Sequence, residues 1–313
     1  MPLSPKAQQI VDAAGARFAG SMSQTPVAEL RAMLNAGSVT PTTVIHERFD
    51  LAVPAPHGSI PVRVYRPSAA SDLPVVMWLH SGGFVVGGLD QNDEYLRRLS
   101  NSAQVIVVSV DYRLAPENRY PAAIEDARTV WDWIVAGPAE LGADTRRAVV
   151  AGESAGGSLT FALSQQLKDD QAPMPTAQIS LYGAAVTRVS NPECTTSLLS
   201  PQDCEWFWDQ YASEPADHLE PGMSPALASD VTSLPPTFVA TAEVDPTRDA
   251  TEEYARRLAE AGVSVELHRY DGMMHGFATM IAALEPAAAL FDQIVDFIVR
   301  SVRGREMDRT RSK

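Results

Sequence analysis

The stretch Ala148-Val149-Val150-Ala151-Gly152-Glu153-Ser154-Ala155-Gly156-Gly157-Ser158 joins a short apolar run to a helical pattern that continues to residue 167. An apolar run of this length suits a strand covered on both faces, and the Gly-x-Ser-x-Gly spacing puts the serine where that strand turns sharply into a helix. Such a turn forces the serine backbone into a strained conformation. Glycines two residues to either side let neighbouring chain pass close by and leave the hydroxyl exposed. A helix starting there also aims backbone N–H groups and the positive end of its dipole at the same point. Ser154 is therefore the candidate nucleophile.

Outward from this turn, apolar runs rich in Val and Ile recur at 75–79, 105–110, 179–181 and 238–240, with helical patterns at 95–99, 124–134, 158–167 and 254–261. Parallel neighbours need crossovers of this length, so the alternation predicts an α/β fold, a mostly parallel sheet with helices on both faces. A further strand is expected over 263–270 and a closing helix over 291–302. Upstream, 48–52 and 60–66 alternate apolar and polar residues around Pro54, Pro56 and Gly58, which predicts a hairpin at a sheet edge.

Two pieces break the rhythm. Residues 1–45 are rich in Ala, Ser and Pro with helical patches such as 27–34, and read as a helical cap segment. Residues 189–225 carry Trp206, Phe207, Trp208 and Tyr211 without a strand signal, and read as a lid inserted after a sheet strand. The core is then 46–188 with 226–302, and the basic segment 303–313 reads as a frayed tail.

A chain of 313 residues, 45% hydrophobic, suits one large domain. Its formal charge of −14 opposes phosphate backbones and anionic lipid, so neither nucleic acid nor a membrane surface is an expected partner. Residues 1–20 hold no apolar run fit for a secretory signal, and no segment is apolar enough to span a bilayer. Cys194 and Cys204 cannot make a disulfide framework, although a single local bridge stays open; a cytoplasmic protein is expected.

A nucleophilic serine needs a base, an acid to orient that base, and donors for the oxyanion. In strand-turn-helix serine sites the acid and then the histidine follow in the chain. Of six histidines only His218, His268 and His275 come after Ser154. His218 lies in the lid and His268 inside a strand pattern, whereas His275 sits in a Gly-bracketed loop past that strand, at the carboxyl end where ligands gather in open α/β sheets. The loop after 238–240 offers Glu243, Asp245 and Asp249 as the acid. Pro246 fixes the turn behind Asp245, which is favoured; Asp249 reads as a helix cap and Glu243 as an arginine partner. His80-Ser81-Gly82-Gly83 follows the run 75–79, and the N–H groups of Gly82, Gly83 and Ala155 are the candidate oxyanion donors.

These segments, with Asp111-Tyr112-Arg113-Leu114-Ala115-Pro116-Glu117, Ser224-Pro225 before Leu234-Pro235-Pro236, Asp245-Pro246-Thr247-Arg248-Asp249 and His275-Gly276-Phe277, resemble the hormone-sensitive-lipase-like, bacterial family IV carboxylesterases. The likeness runs from about residue 75 to 297. It implies the α/β-hydrolase fold with a small helical cap, Ser154, Asp245 and His275 as catalytic residues, and Gly82, Gly83 and Ala155 as the oxyanion hole. Arg113 and Glu117 are expected to brace loops behind the site. The chain departs from the family's usual residues at Ser81, normally glycine, at Thr247, normally leucine, and at Glu153, often Asp or Thr.

The function expected is a serine esterase acting on small carboxylic esters of short to medium chain, that preference resting on the resemblance, with neither cofactor nor metal. The resemblance also suggests a homodimer. An amidase or lactonase would use the same residues, and a non-catalytic small-ligand receptor would keep only the fold. Phe84, Trp206, Phe207 and Met274 are the candidate substrate-binding residues. Trp208, Tyr211 and Met273 could join them, with at least half of the lid aromatics packing the lid onto the body.

Overall fold

The computed structural model describes residues 2–17, 22–35, 40–194 and 198–311. Parts of the expected cap and lid, at 18–21, 36–39 and 195–197, lie outside the described residues. The strands are β1 (Glu47–Ala55), β2 (Gly58–Arg66), β3 (Leu73–Leu79), β4 (Ile106–Val110), β5 (Ala143–Glu153), β6 (Ala177–Leu181), β7 (Thr237–Val244) and β8 (Val265–Met274). They form one eight-stranded sheet in the order β1-β2-β4-β3-β5-β6-β7-β8. β1 and β2 make the expected antiparallel edge hairpin, β2 pairs antiparallel with β4, and every other pair is parallel.

The helices are α1 (Pro5–Arg17), α2 (Val27–Asn35), α3 (Asp93–Ala103), α4 (Ala122–Val135), α5 (Ala155–Asp169), α6 (Pro201–Tyr211), α7 (Arg248–Glu260) and α8 (Glu285–Arg311). Central strands read as continuous apolar runs because both faces are covered. Val75, Met77 and Leu79 of β3 pack with Val130 and Trp131 of α4 and Leu159 and Leu163 of α5. Val76 and Trp78 turn the other way, onto Leu96 and Leu99 of α3 and Ile294 and Phe297 of α8. Each such aliphatic side chain contributes roughly 1.5–3 kcal/mol on burial, so the covered centre of the sheet fixes the frame.

The order reverses direction at β3, with β4 on one side and β5 on the other. Crevices at the carboxyl ends of strands open at such a reversal. The register pairs Leu79 with Gly152, so the loop after β3 and the turn after β5 leave the sheet side by side. Helix α8 runs on through Arg311, over most of the segment expected as a tail.

The long insertion between β6 and β7 has a helix of its own. Ser200 caps α6: its Oγ accepts the Asp203 N–H at 3.1 Å, Asp203 accepts the Ser200 N–H at 3.2 Å, and Pro201 opens the first turn. The other Asp203 oxygen accepts the N–H of Ser23 at 3.0 Å, which ties this insertion to the N-terminal region.

Candidate active site

Ser154 sits between β5 and α5 with φ 54° and ψ −118°, a conformation a non-glycine residue adopts only under constraint. The constraint is close packing. A Cβ on Gly152 would run into the Gly156 carbonyl, and one on Gly156 into the Leu79 carbonyl of β3. The Ser154 N–H donates to the Leu181 carbonyl at 2.8 Å, fixing the turn to β6.

His275 follows β8, and its Nε2 lies 2.7 Å from the Ser154 Oγ. Its Nδ1 lies 2.6 Å from Oδ2 of Asp245, on the loop after β7. An ionised carboxylate only accepts, so Nδ1 carries the proton and Nε2 presents a lone pair to the serine hydroxyl. Both partners are buried, the histidine 8% exposed and the aspartate fully enclosed. Burial pushes the imidazole toward its neutral form, but the charge and hydrogen bond of Asp245, with a further contribution from Glu153, outweigh it and raise its pKa above the ordinary 6.5.

The other two acids of that loop have different partners. The Glu243 carboxylate accepts the Gly272 N–H at 2.6 Å, and its backbone carbonyl, rather than its side chain, meets Arg248. Asp249 bonds Arg248 Nε at 2.7 Å within the first turn of α7, and Thr247 occupies the cap position instead. Thr247 has a part the sequence reading did not give it: its N–H and hydroxyl both donate to Asp245 Oδ1, at 2.8 and 2.9 Å.

After β3, the chain turns through Gly82 (φ 126°) and Gly83 (φ 59°), positive values that favour glycine. A Cβ on Gly82 would meet the Val86 carbonyl, and one on Gly83 the ring of Phe207. Among the described residues the N–H groups of Gly82, Gly83 and Ala155 donate to no protein acceptor, and all three residues border the cavity that holds Ser154 and His275. His80 lies behind them. Its ring stacks on Tyr112 with centroids 4.1 Å apart, and the Tyr112 hydroxyl donates to its carbonyl at 2.8 Å. Burial holds that imidazole down to about 4, so it is a neutral strut for the loop.

The bracing expected of Arg113 and Glu117 is present. Arg113 pairs with Asp126 and Glu125, away from the cavity. Glu117 takes Arg31 of α2 bidentately, at 2.9 and 2.8 Å. Arg31 also donates to the carbonyls of Val85 and Ala115, at 2.8 and 2.9 Å, so α2 is fastened directly to the loop carrying Gly82 and Gly83. No periodicity marked Arg31, because its partners lie 54 to 86 residues away.

The cavity measures 310 Å³, and its lining includes Phe84 and Phe207 of the four predicted contact residues. Trp206 and Met274 are not among the lining residues. Trp206 packs edge-on against Phe207 at 4.9 Å, and Met274, the last residue of β8, is fully buried in the core. Trp208 also lines the cavity, while Tyr211 stacks on Phe84 at 4.1 Å and braces it. Met22 and Leu34 from the N-terminal region, and Leu198 and Leu199 from the insertion, also line it. A hydroxyl on a strained turn, an imidazole held between it and a carboxylate, and N–H donors at the head of an apolar cavity together suit acyl transfer from a small neutral substrate.

Fold and site together are those of an α/β-hydrolase. Residues 76–279 match a family model described as an alpha/beta hydrolase fold. The chain is 39% identical over 237 residues to an ethyl acetate hydrolase of Pseudomonas putida, covering 73% of this chain and 74% of that one. It is 42% identical over 239 residues to the carboxylesterase NlhH of Mycobacterium tuberculosis, covering 74% of each. The solved structure of a hyperthermophilic esterase from Pyrobaculum calidifontis superposes with a TM-score of 0.90 at 36% identity, over 96% of this chain and 99% of that one. The chain belongs to the α/β-hydrolase family, in its hormone-sensitive-lipase-like group.

Proposed function

We propose that this protein is a serine carboxylesterase that hydrolyses carboxylic esters of short to medium chain through an acyl-enzyme. The observation that carries the reading is the unbroken relay from Ser154 Oγ through His275 to Asp245, at 2.7 and 2.6 Å. As the hydroxyl attacks the ester carbonyl, Nε2 of His275 takes its proton, and the carbonyl oxygen becomes an oxyanion facing the N–H groups of Gly82, Gly83 and Ala155. Each such donor is worth about 3 kcal/mol of transition-state stabilisation. Collapse expels the alcohol, which takes the proton back from His275. Water, deprotonated by the same nitrogen, then attacks the acyl-Ser154 ester and releases the acid. Asp245 holds the tautomer and stabilises the imidazolium without accepting the proton.

The 310 Å³ cavity, lined in part by residues of the N-terminal region and of the insertion, favours small acyl and alcohol groups and supports reading those two pieces as a cap. The test is hydrolysis of p-nitrophenyl esters from acetate to palmitate by the wild type and Ser154→Ala. Rates peaking at short acyl chains and abolished in the variant are expected. Equal rates in both proteins would overturn the reading, and matched amides and lactones turned over faster than esters would move it to the amidase or lactonase alternative.

Among the described residues no helix is long and apolar enough to cross a membrane. The buried thiols of Cys194 and Cys204, which are not bridged, support a reducing, cytoplasmic setting. The family resemblance supports a homodimer formed through a sheet edge, which sedimentation would test.

A further inference from the structure

Beside the nucleophile turn, bordering the same cavity, lies a carboxylate that the acyl-transfer steps do not use. Glu153, the last residue of β5, is 3% exposed. Its Oε1 accepts the Tyr182 hydroxyl at 2.7 Å and its Oε2 accepts the Asn92 amide at 3.2 Å. The Ser81 side chain is a third hydrogen-bonding neighbour. A buried carboxylate is costly unless paired, yet these partners are all neutral, and the positive charge that faces it is His275 when protonated.

Burial raises the pKa of Glu153 above the ordinary carboxyl value, while its hydrogen bonds to Tyr182, Asn92 and Ser81 and the charge of a protonated His275 oppose that rise. The Tyr182 oxygen already accepts the Ala278 N–H at 3.2 Å, so its own proton points to Glu153. The Ser81 Oγ already accepts the Gln91 amide at 2.7 Å, so its proton is free to do the same. Donors converging on both oxygens stabilise the ionised form against the cost of burial. The three partners also belong to three pieces of the site. Ser81 precedes Gly82 and Gly83, and Asn92 opens α3. The Tyr182 ring lies 4.8 Å from that of His275, and its hydroxyl holds the chain three residues past His275.

We infer that Glu153 is a positioning residue that ties the oxyanion loop and the histidine loop to the nucleophile turn, and that its negative charge favours the His275 imidazolium formed as Ser154 attacks. This rests on the acyl-transfer reading above. The ionisable groups facing His275 are Asp245 after β7, Glu153 at the end of β5 and Tyr182 after β6. Tyr182 is held well above the ordinary phenol range by burial, and the nearby Cys194 and Cys204 thiols are likewise pushed up by burial, so the charge beside the imidazole comes from the two carboxylates. Ser81, glycine in most of the family, gives this chain the link from Glu153 to the oxyanion loop.

The test compares Glu153→Gln, which removes the charge with little change of shape, with Glu153→Asp, which keeps the carboxylate, and with Tyr182→Phe, which cuts the tie to the histidine loop and leaves the Glu153 carboxylate its Asn92 and Ser81 donors. Hydrolysis of p-nitrophenyl acetate is followed across pH, with folding checked by circular dichroism. Glu153→Gln is expected to lower kcat at least tenfold with KM within twofold, and to move the acid limb of kcat/KM to lower pH. Glu153→Asp and Tyr182→Phe are expected to lower kcat several-fold with the limb in place. A limb unmoved in Glu153→Gln would overturn the electrostatic role, and so would a limb moved equally in Tyr182→Phe. If Glu153→Gln does not fold, the imidazole titration of His275, read by NMR in the wild type and in Glu153→Asp and Tyr182→Phe, decides: a pKa kept by both variants supports the inference, and one lowered by Tyr182→Phe contradicts it. If the wild type itself hydrolyses no ester, the acyl-transfer reading fails first; full wild-type activity with an unaffected Glu153→Gln fails this inference alone.

Discussion

Thr247 grips Asp245 with two donors on one oxygen, its N–H at 2.8 Å and its hydroxyl at 2.9 Å on Oδ1, which leaves Oδ2 to His275 at 2.6 Å. The carboxylate is thereby oriented by its own loop before the imidazole meets it. Removing the hydroxyl while keeping the shape, as in Thr247→Val, takes away one of the two bonds. A hydrogen bond to a charged group contributes about 1.5–3 kcal/mol, and the remaining N–H compensates in part, so kcat should fall about tenfold. Steady-state kinetics on a short-chain ester checks this, with KM expected to hold within twofold.

The raised pKa of His275 sets the pH dependence. With His275 as the proposed base, catalysis needs its neutral form, so kcat/KM should fall as pH drops through a limb lying above 6.5 and reach a plateau on the alkaline side. The stability linkage has the opposite sign. A folded-state pKa above the unfolded one stabilises fully below about 6.5, and that contribution is lost as pH rises through the folded value. A pH–rate profile on a neutral ester measures the limb, and one centred below 6.5 would contradict this electrostatic account.

Gly83 has its own sensitivity. An added methyl would overlap the Phe207 ring on a residue held at φ 59°, so Gly83→Ala should displace a proposed oxyanion donor and cost about 10²–10³ in kcat. Pairing it with Phe207→Ala relieves the overlap but not the backbone strain. Partial recovery of kcat in the double variant is the expected result.

Arg31 couples the N-terminal helix to the oxyanion loop through Glu117 and the carbonyls of Val85 and Ala115. The ion pair alone is worth little because Glu117 is 57% exposed, so the two carbonyl bonds dominate. Arg31→Ala should cost about 1–2 kcal/mol of stability and lower the melting temperature by roughly 2–8 °C. It should also lower kcat/KM several-fold by loosening Val85. Thermal unfolding and kinetics on the same preparation check both.

Much of this architecture was legible because it rests on periodicity and on residues with one special property. The Val-rich runs became central strands since both faces of the sheet are covered, and Ser154 and His275 stood out by their place at strand ends. Pattern failed where long-range packing decides. Helix α5 begins at Ala155, not at 158, because Gly156 and Gly157 are weak helix formers that are needed small, against β3 and against Ser180 and Gly183. Strand β5 begins at Ala143, which pairs with Leu73 of β3, and the charges of Asp144, Arg146 and Arg147 hide that start by interrupting the apolar pattern. Met274 looked like a contact residue beside His275, but β8 continues through it into the core. The cavity walls at Met22, Leu34, Leu198 and Leu199 meet only through tertiary contacts.

Whether Ser154 is the nucleophile and His275 its base is tested by intact-mass and peptide analysis after treatment with a fluorophosphonate. One adduct per chain on the Ser154 peptide is expected, with none in Ser154→Ala and labelling slowed at least a thousand-fold in His275→Ala. An unlabelled wild-type protein, or an adduct on any other residue, would contradict that assignment.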